Sequence, residues 1–418
     1  VGKKFAKINR LMSKEVVITG MGIISSLGLS LAENWQNIIT GKSGVKNITL
    51  FDASTLATRI AGEVSPGFEE LSRTYIKKRA GSQMTRVTRM CLTAAKIAVG
   101  DSGIDFTQVD RSRCGVIIGV VNTGNSSVEK ETTTQNTVFK TMTNSMPAWI
   151  SLEYQLMGPA FAVNTACASS AYAISLGYEM IKNGQADVVI VGGADSIINY
   201  EEIEGFNALY ALSVANETPE EASKPFSKDR DGFVIGEGAG VLVLESKEHA
   251  AGRNASIYAQ VAGYAITSEG HNIMAPKNDG EGMAQTIESA IKNAGIRPEE
   301  VGYINAHGTS TELNDRYETM AIKKVFGDHA YRLAVSSSKS MLGHTIGAAG
   351  AIEAIITAMS LKEGILPPTI NYNHPDPDLD LDYVPNYARK AGIGVALSNS
   401  FGFGGHNATL VLKKHPIL

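Results

Sequence analysis

One pattern occurs twice along this chain, and that repetition constrains the fold more than any other feature. In the first half the apolar run Phe161–Asn164 leads into Cys167, a small-residue helix to Lys182-Asn183-Gly184, the strand Val188–Val191 and Gly192-Gly193-Ala194. In the second half Leu333–Ser336 leads into Lys339, a helix to Lys362-Glu363-Gly364, the strand Gly394–Leu397 and Phe403-Gly404-Gly405. Each copy reads strand, elbow, helix, strand, glycine, and strand-like apolar runs give way to helical spacing at the elbow. The repetition predicts a duplicated α/β fold whose halves pack face to face. Residues 14–260 and 261–418 form the halves. Residues 1–13 are an N-terminal extension or remnant, basic at Lys3, Lys4, Lys7 and Arg10 and without the apolar core of a signal peptide.

Further strands are expected at Val16–Thr19, Gly115–Ile118, Gly240–Leu244, Ile257–Ala262, Tyr303–Asn305 and Thr409–Leu412. Further helices are expected at Ala32–Thr40, Thr88–Gly100, Gly282–Ala294 and Asp315–Phe326. Asn371–Pro377 is a proline-set loop inside the second copy. At 418 residues, 43% hydrophobic and 19% charged, the chain has the profile of a compact enzyme. The net charge of −4 gives no reason to expect nucleic acid as a ligand. No uncharged apolar run approaches the ~18 residues of a membrane span. Three scattered cysteines, Cys91, Cys114 and Cys167, form no disulfide framework and suit a reducing cytoplasm.

Four motifs carry chemistry. Cys167 stands where a strand becomes a helix, facing the unpaired N–H groups and positive dipole end, a setting expected to lower its pKa and favour thiolate. His307 opens a loop, Asn305–Asp315, in which Thr309 and Thr311 are placed to hydrogen-bond an amide-bearing ligand. His344 follows Lys339 and precedes a Gly/Ala-rich helix that carries Glu353 about 2.5 turns on, near Lys339. Phe401 and Phe403 flank a glycine turn whose backbone N–H is able to join that of Cys167 as an oxyanion hole. Taken singly, His307 is as readily a satisfied core histidine, and Lys339 with Glu353 a surface ion pair.

Together these motifs, with Val16–Gly22 and Lys224–Gly238, resemble the elongating β-ketoacyl-acyl carrier protein synthases of the thiolase-like superfamily across residues 14–414. The resemblance implies a thiolase-like, duplicated, five-layered αβαβα architecture. It makes Cys167 the nucleophile that holds an acyl chain delivered on the phosphopantetheine of acyl carrier protein. His307 and His344 are then the donors that stabilise the enolate left when malonyl-carrier loses carbon dioxide. Lys339 and Glu353 hold the His344 side in its charge state, and Asp315 orders the loop after His307. Thr309 and Thr311 contact the pantetheine, Phe403 gates the thiol, and Phe401 is a further substrate-binding residue. No metal or bound cofactor is required. The resemblance implies a dimer through the strand Phe161–Asn164, with an identical mate or a chain-length subunit. No cysteine follows Cys167, and His344 is not asparagine, which separates the chain from degradative thiolases and from initiating synthases.

The chain departs from the family pattern at several positions. Asn122 is expected where an aliphatic residue lines the acyl pocket, and Glu129–Thr143 is rich in threonine. An amide there is poorly satisfied by a plain alkyl chain, so a type II polyketide or polyene chain stands as the alternative to fatty-acid elongation. His406 replaces a threonine and Thr85 an acid. Lys77, Lys78, Arg79 and Arg86 are either a dock for the acidic carrier or a solvated face. Gly20-Met21-Gly22 mimics a dinucleotide fingerprint but lacks its third glycine. A zinc site from Cys167, His307 and His344 and a silent chain-length subunit are further readings, the latter at odds with a retained nucleophile.

Overall fold

The computed structural model describes residues 14–123 and 137–415. The extension 1–13 and most of the threonine-rich stretch lie outside the described residues. The first copy runs β1 (Val16–Ser25), α1 (Arg86–Ser102), β2 (Cys114–Gly119), α2 (Ser145–Tyr154), β3 (Ala160–Val163), α3 (Ser169–Lys182), β4 (Val188–Asp195), α4 (Tyr200–Ala208) and β5 (Gly238–Ser246). The second runs β6 (Ala259–Ser268), α5 (Glu281–Ala294), β7 (Tyr303–Asn305), α6 (Glu312–Phe326), β8 (Ala334–Ser336), α7 (Ala349–Glu363), β9 (Val395–Gly402) and β10 (His406–Lys414). A helix at Leu31–Ile39 follows β1.

The ten strands order as β8-β7-β9-β10-β6-β1-β5-β4-β2-β3, so the order is the same read outward from the centre in either direction. Pairing directions repeat too. β2 runs parallel to β3 and β4, and β7 runs parallel to β8 and β9. The last strand of each copy is antiparallel to its neighbours. The halves join where Val16–Ile18 pairs with Val261–Ala259. Helices α3 and α7 contact one another and the strands of both copies; α1 and α2 cover one outer face, and α5, backed by α6, covers the other. This is the five-layered αβαβα duplication.

The central layer depends on small residues. A Cβ on Gly350 of α7 would stand 2.8 Å from Ala171 N of α3, so the helices touch backbone to backbone there. Ala351 N–H then donates to Ser170 Oγ at 2.9 Å. Several strands outrun their sequence limits because glycine continues them. β1 passes through Gly20 and Gly22, where a Cβ would come 2.1 Å from Ala98 O and 2.0 Å from Ala94 O of α1. Those glycines serve helix packing rather than a phosphate. Helix α2 scatters its apolar residues around the circumference between Ser145, Ser151 and Glu153 and carries Pro147, so no periodicity marks it. Among the described residues no helix is long and apolar enough to cross a membrane.

Candidate active site

The elbow between β3 and α3 holds Cys167 in a strained turn. Ala166 adopts a left-handed φ of 50°, unusual for a residue with a Cβ. Ser169 Oγ locks the turn, accepting from Thr165 N at 2.9 Å and donating to Ala166 O at 2.6 Å. The loop after β9 lies directly against the elbow because Gly402 has no side chain; a Cβ there would stand 3.0 Å from Thr165 O. The backbone N–H groups of Phe403 and of Cys167 itself both bear on the thiol, which is the geometry of a two-amide anion hole.

His307 follows β7, and two hydrogen bonds pin its loop. Its N–H donates to Glu318 Oε1 at 2.9 Å, and Gly308 N–H donates to Glu318 Oε2 at 2.8 Å. Asn399 Nδ2 donates to the same carboxylate at 3.1 Å. On its far side, His307 Nδ1 accepts from Lys339 Nζ at 3.3 Å, and Lys339 is ion-paired to Glu353. His344 Nδ1 accepts from Ile346 N–H at 3.3 Å. An imidazole that accepts at Nδ1 carries its proton at Nε2, so these partners assign both rings the Nε2–H tautomer. The ring centroids stand 5.3 Å apart at 83°. Cys167 Sγ and one nitrogen of each histidine all lie within 4.8 Å of one another. Among the described residues His344 Nε2 is buried without a hydrogen-bond partner.

Electrostatics correct one expectation. Burial pushes the Cys167 thiol up to about 12, against the pull of Lys339 and the two amides. At 3% exposure the loss of hydration outweighs the helix terminus, so the resting sulfur is a thiol. Burial, and then the Lys339 charge, hold both histidines well below the usual imidazole range. They are neutral donors. Burial raises Glu353 to about 7 despite its lysine partner.

A cavity of 420 Å³ has Cys167, His307 and His344 in its lining together with Thr309, Thr311, Phe401 and Phe403. Thr309 and Thr311 share a hydroxyl hydrogen bond of 2.8 Å. Phe403 is 39% exposed, as a gate must be, and the Phe401 ring lies 6.0 Å from that of His307. Lys339 and Glu353 sit behind His307 rather than beside His344, so the hydrogen-bonded charge pair serves the other histidine from the one expected. Asp315 accepts from Phe226 N–H at 2.8 Å and from the backbone of Ser310, fastening two loops; the direct brace of His307 is Glu318.

Asn122 is not brought to the cavity. It is half-buried, and its amide donates to Glu202 Oε1 on α4 at 2.9 Å. Arg86 leaves the basic group, because its guanidinium is bound to Glu237 at 2.7 Å and to Glu69 at 3.2 Å; Lys77, Lys78 and Arg79 stay exposed. His406 is half-buried, edge-on to Tyr172 with centroids 6.5 Å apart. The Cys–His–His trio has the span of a metal donor set, yet the Lys339 ammonium beside His307 opposes a second cation. Glu318 has no sequence signal, since its partners are backbone N–H groups and an amide.

Comparison with known proteins agrees with this geometry. Residues 13–250 match the family described as Beta-ketoacyl synthase, N-terminal domain, and residues 258–373 match its C-terminal domain. A Synechocystis protein named 3-oxoacyl-[acyl-carrier-protein] synthase 2 is 41% identical over 97% of this chain and 99% of its own length. A Coxiella burnetii protein of the same name is 42% identical over 96% and 99%. Among solved structures, a type II polyketide acyl-carrier protein in complex with its ketosynthase aligns with a TM-score of 0.88 at 33% identity, covering 96% of this chain and 100% of that one. The ishigamide ketosynthase/chain length factor aligns at 0.89 and 34%, covering 97% and 100%. The chain belongs to the beta-ketoacyl synthase family.

Proposed function

We propose that this chain is a 3-oxoacyl-[acyl-carrier-protein] synthase, joining an acyl chain to malonyl-carrier with loss of carbon dioxide in fatty-acid elongation. The single observation that carries the reading is the convergence of one buried thiol, two neutral Nε2–H imidazoles and two amide donors at the base of one cavity. In the first step Cys167 sulfur takes the acyl group from the carrier thioester, and the thiol proton leaves on the phosphopantetheine sulfur. Malonyl-carrier then enters, and its thioester oxygen lies between His307 and His344. Cleavage of the carboxylate bond releases carbon dioxide and leaves an enolate that both Nε2–H groups stabilise. The enolate carbon attacks the acyl–Cys167 carbonyl, whose oxyanion is held by the N–H groups of Cys167 and Phe403. Collapse expels the Cys167 thiolate, which takes up one proton from solvent to return to the resting thiol, and yields 3-oxoacyl-carrier.

Thr309 and Thr311 face the pantetheine, while Lys339 and Glu353 hold the proton arrangement of His307. The phosphopantetheine arrives with the substrate, and the five groups named carry the chemistry between them. Exposed Lys77, Lys78 and Arg79 suit an acidic carrier protein. The open edge of β3, with Phe161 37% exposed, suits pairing with a second copy of the chain. The polyketide or polyene alternative rested on Asn122 in the acyl pocket, and its bond to Glu202 weakens that support. Incubation with acyl-carrier and malonyl-carrier tests the proposal. The 3-oxoacyl product with one carbon dioxide per turnover is expected, and failure of every even-numbered saturated acyl chain overturns the fatty-acid reading.

A further inference from the structure

His344 depends on a turn that is itself strained. Its Nδ1 accepts from the N–H of Ile346, and Ile346 holds a left-handed φ of 47°. A β-branched residue in that conformation is a genuine outlier and persists only where its surroundings impose it. The next N–H along, that of Gly347, donates to Asp195 Oδ2 at 3.0 Å. A Cβ on Gly347 would stand 2.6 Å from that oxygen, so the approach is open to glycine alone.

Asp195 ends β4 and is fully buried. Among the described residues it has no cationic partner. Backbone N–H groups satisfy it instead: Val121 at 3.2 Å on Oδ2, and Asn122 at 3.4 Å and Ser196 at 3.1 Å on Oδ1. The carboxylate thus ties the loop after β2, its own strand end and the turn after His344. Val121 and Ile346 pack in the same apolar cluster as Cys167. A buried carboxylate is an expensive means of joining three loops unless their relative placement matters. The placement that it enforces is the strained turn.

We infer that Asp195 is a positioning residue for the condensation: it anchors Gly347, keeps Ile346 in its left-handed turn, and so holds His344 with its Nε2–H directed at the thiol. This rests on the role proposed for His344. Burial raises the Asp195 carboxyl to about 7 against the pull of its four N–H donors; as a carboxylate it supplies acceptor oxygens to N–H groups on both sides, whereas the amide of an asparagine presents a donor to one of them.

D195N is the test, read by three measurements on the full chain. Decarboxylation of malonyl-carrier is expected to fall about 10²-fold, the scale of an ångström of misplacement, while acyl loading of Cys167 stays within about twofold. The ¹⁵N shifts of the His344 ring are expected to leave the pattern of a hydrogen-bonded Nδ1 acceptor. The third measurement is rescue. Glycine adopts positive φ without strain, so D195N in the I346G background is expected to cost under about threefold relative to I346G alone. Equal losses in the two backgrounds, parallel loss of acyl loading, or unchanged His344 shifts each overturn the inference. If D195N does not fold, G347A displaces the same contact without altering charge, and its loading, decarboxylation and ring shifts decide alone. If wild type loads Cys167 but H344A decarboxylates normally, the proposed role of His344 has failed, and not the anchoring of its turn by Asp195.

Discussion

Replacing His344 by alanine separates the two half-reactions. The imidazole is 2% exposed, and its Nε2–H has no protein partner among the described residues, so its donor is kept for a bound oxygen. In a site without competing water such a donor is worth about 2.7–4 kcal/mol to a developing oxyanion, or about 10²–10³-fold in rate. His344 contributes no atom to the amide pair around the sulfur, which comes from Cys167 and Phe403. H344A is therefore expected to slow carbon dioxide release by about 10²–10³-fold while acyl transfer to Cys167 stays within about threefold of wild type. H344A is a cleaner probe than H307A, which also removes the acceptor 3.3 Å from Lys339 Nζ and leaves that ammonium with Glu353 alone. The assay pairs carbon dioxide release from isotopically labelled malonyl-carrier with intact-mass measurement of acylated protein. H344Q keeps an N–H at similar reach and is expected to recover part of the rate. Parallel loss of loading and decarboxylation, or a decarboxylation loss under threefold, would refute the division of labour.

Other outcomes follow from single contacts. K339A leaves the buried Glu353 without its counter-charge and is expected to destabilise the fold by about 3 kcal/mol, read as a lower urea midpoint; the pair K339M/E353L should recover most of it. The His307 and His344 resonances should not titrate as pH falls through 6.5, because burial and Lys339 keep both neutral. The sign follows from linkage. The unfolded chain takes up those protons and the native one does not, so this contribution to stability is present above 6.5 and lost as pH falls. Reversing Lys77, Lys78 and Arg79 should raise KM for carrier-bound substrate at unchanged kcat, an effect that added salt shrinks; an unchanged KM removes the docking site.

Much of this was legible in the sequence because it is periodic or chemical. The repeated strand–elbow–helix–strand unit announced the duplication, and its strands lie at matching places in the sheet order, although Gly192-Gly193 fall inside β4 while Gly404-Gly405 form the turn after β9. Cys167 and His307 stood out as reactive residue types just after strands, and His344 just before a Gly/Ala-rich helix, and the three converge. What stayed hidden was either backbone-mediated or dependent on depth. Glu318 braces His307 through main-chain N–H groups, which leave no pattern. The helix terminus suggested a lowered thiol pKa, but burial to 3% decides the opposite way, and burial of one atom is not a sequence property. The partner of the Asn122 amide, Glu202 on α4, was likewise hidden, because no strong periodicity marks that helix.

The most direct measurement is the mass of the Cys167 peptide during one turnover. After incubation with acyl-carrier alone, that peptide should carry one acyl group. Adding malonyl-carrier should remove the group as 3-oxoacyl-carrier appears in equal amount, and C167A should do neither. An acyl group on any other residue, or condensation by C167A, would contradict the assignment of Cys167 as the acyl-carrying nucleophile.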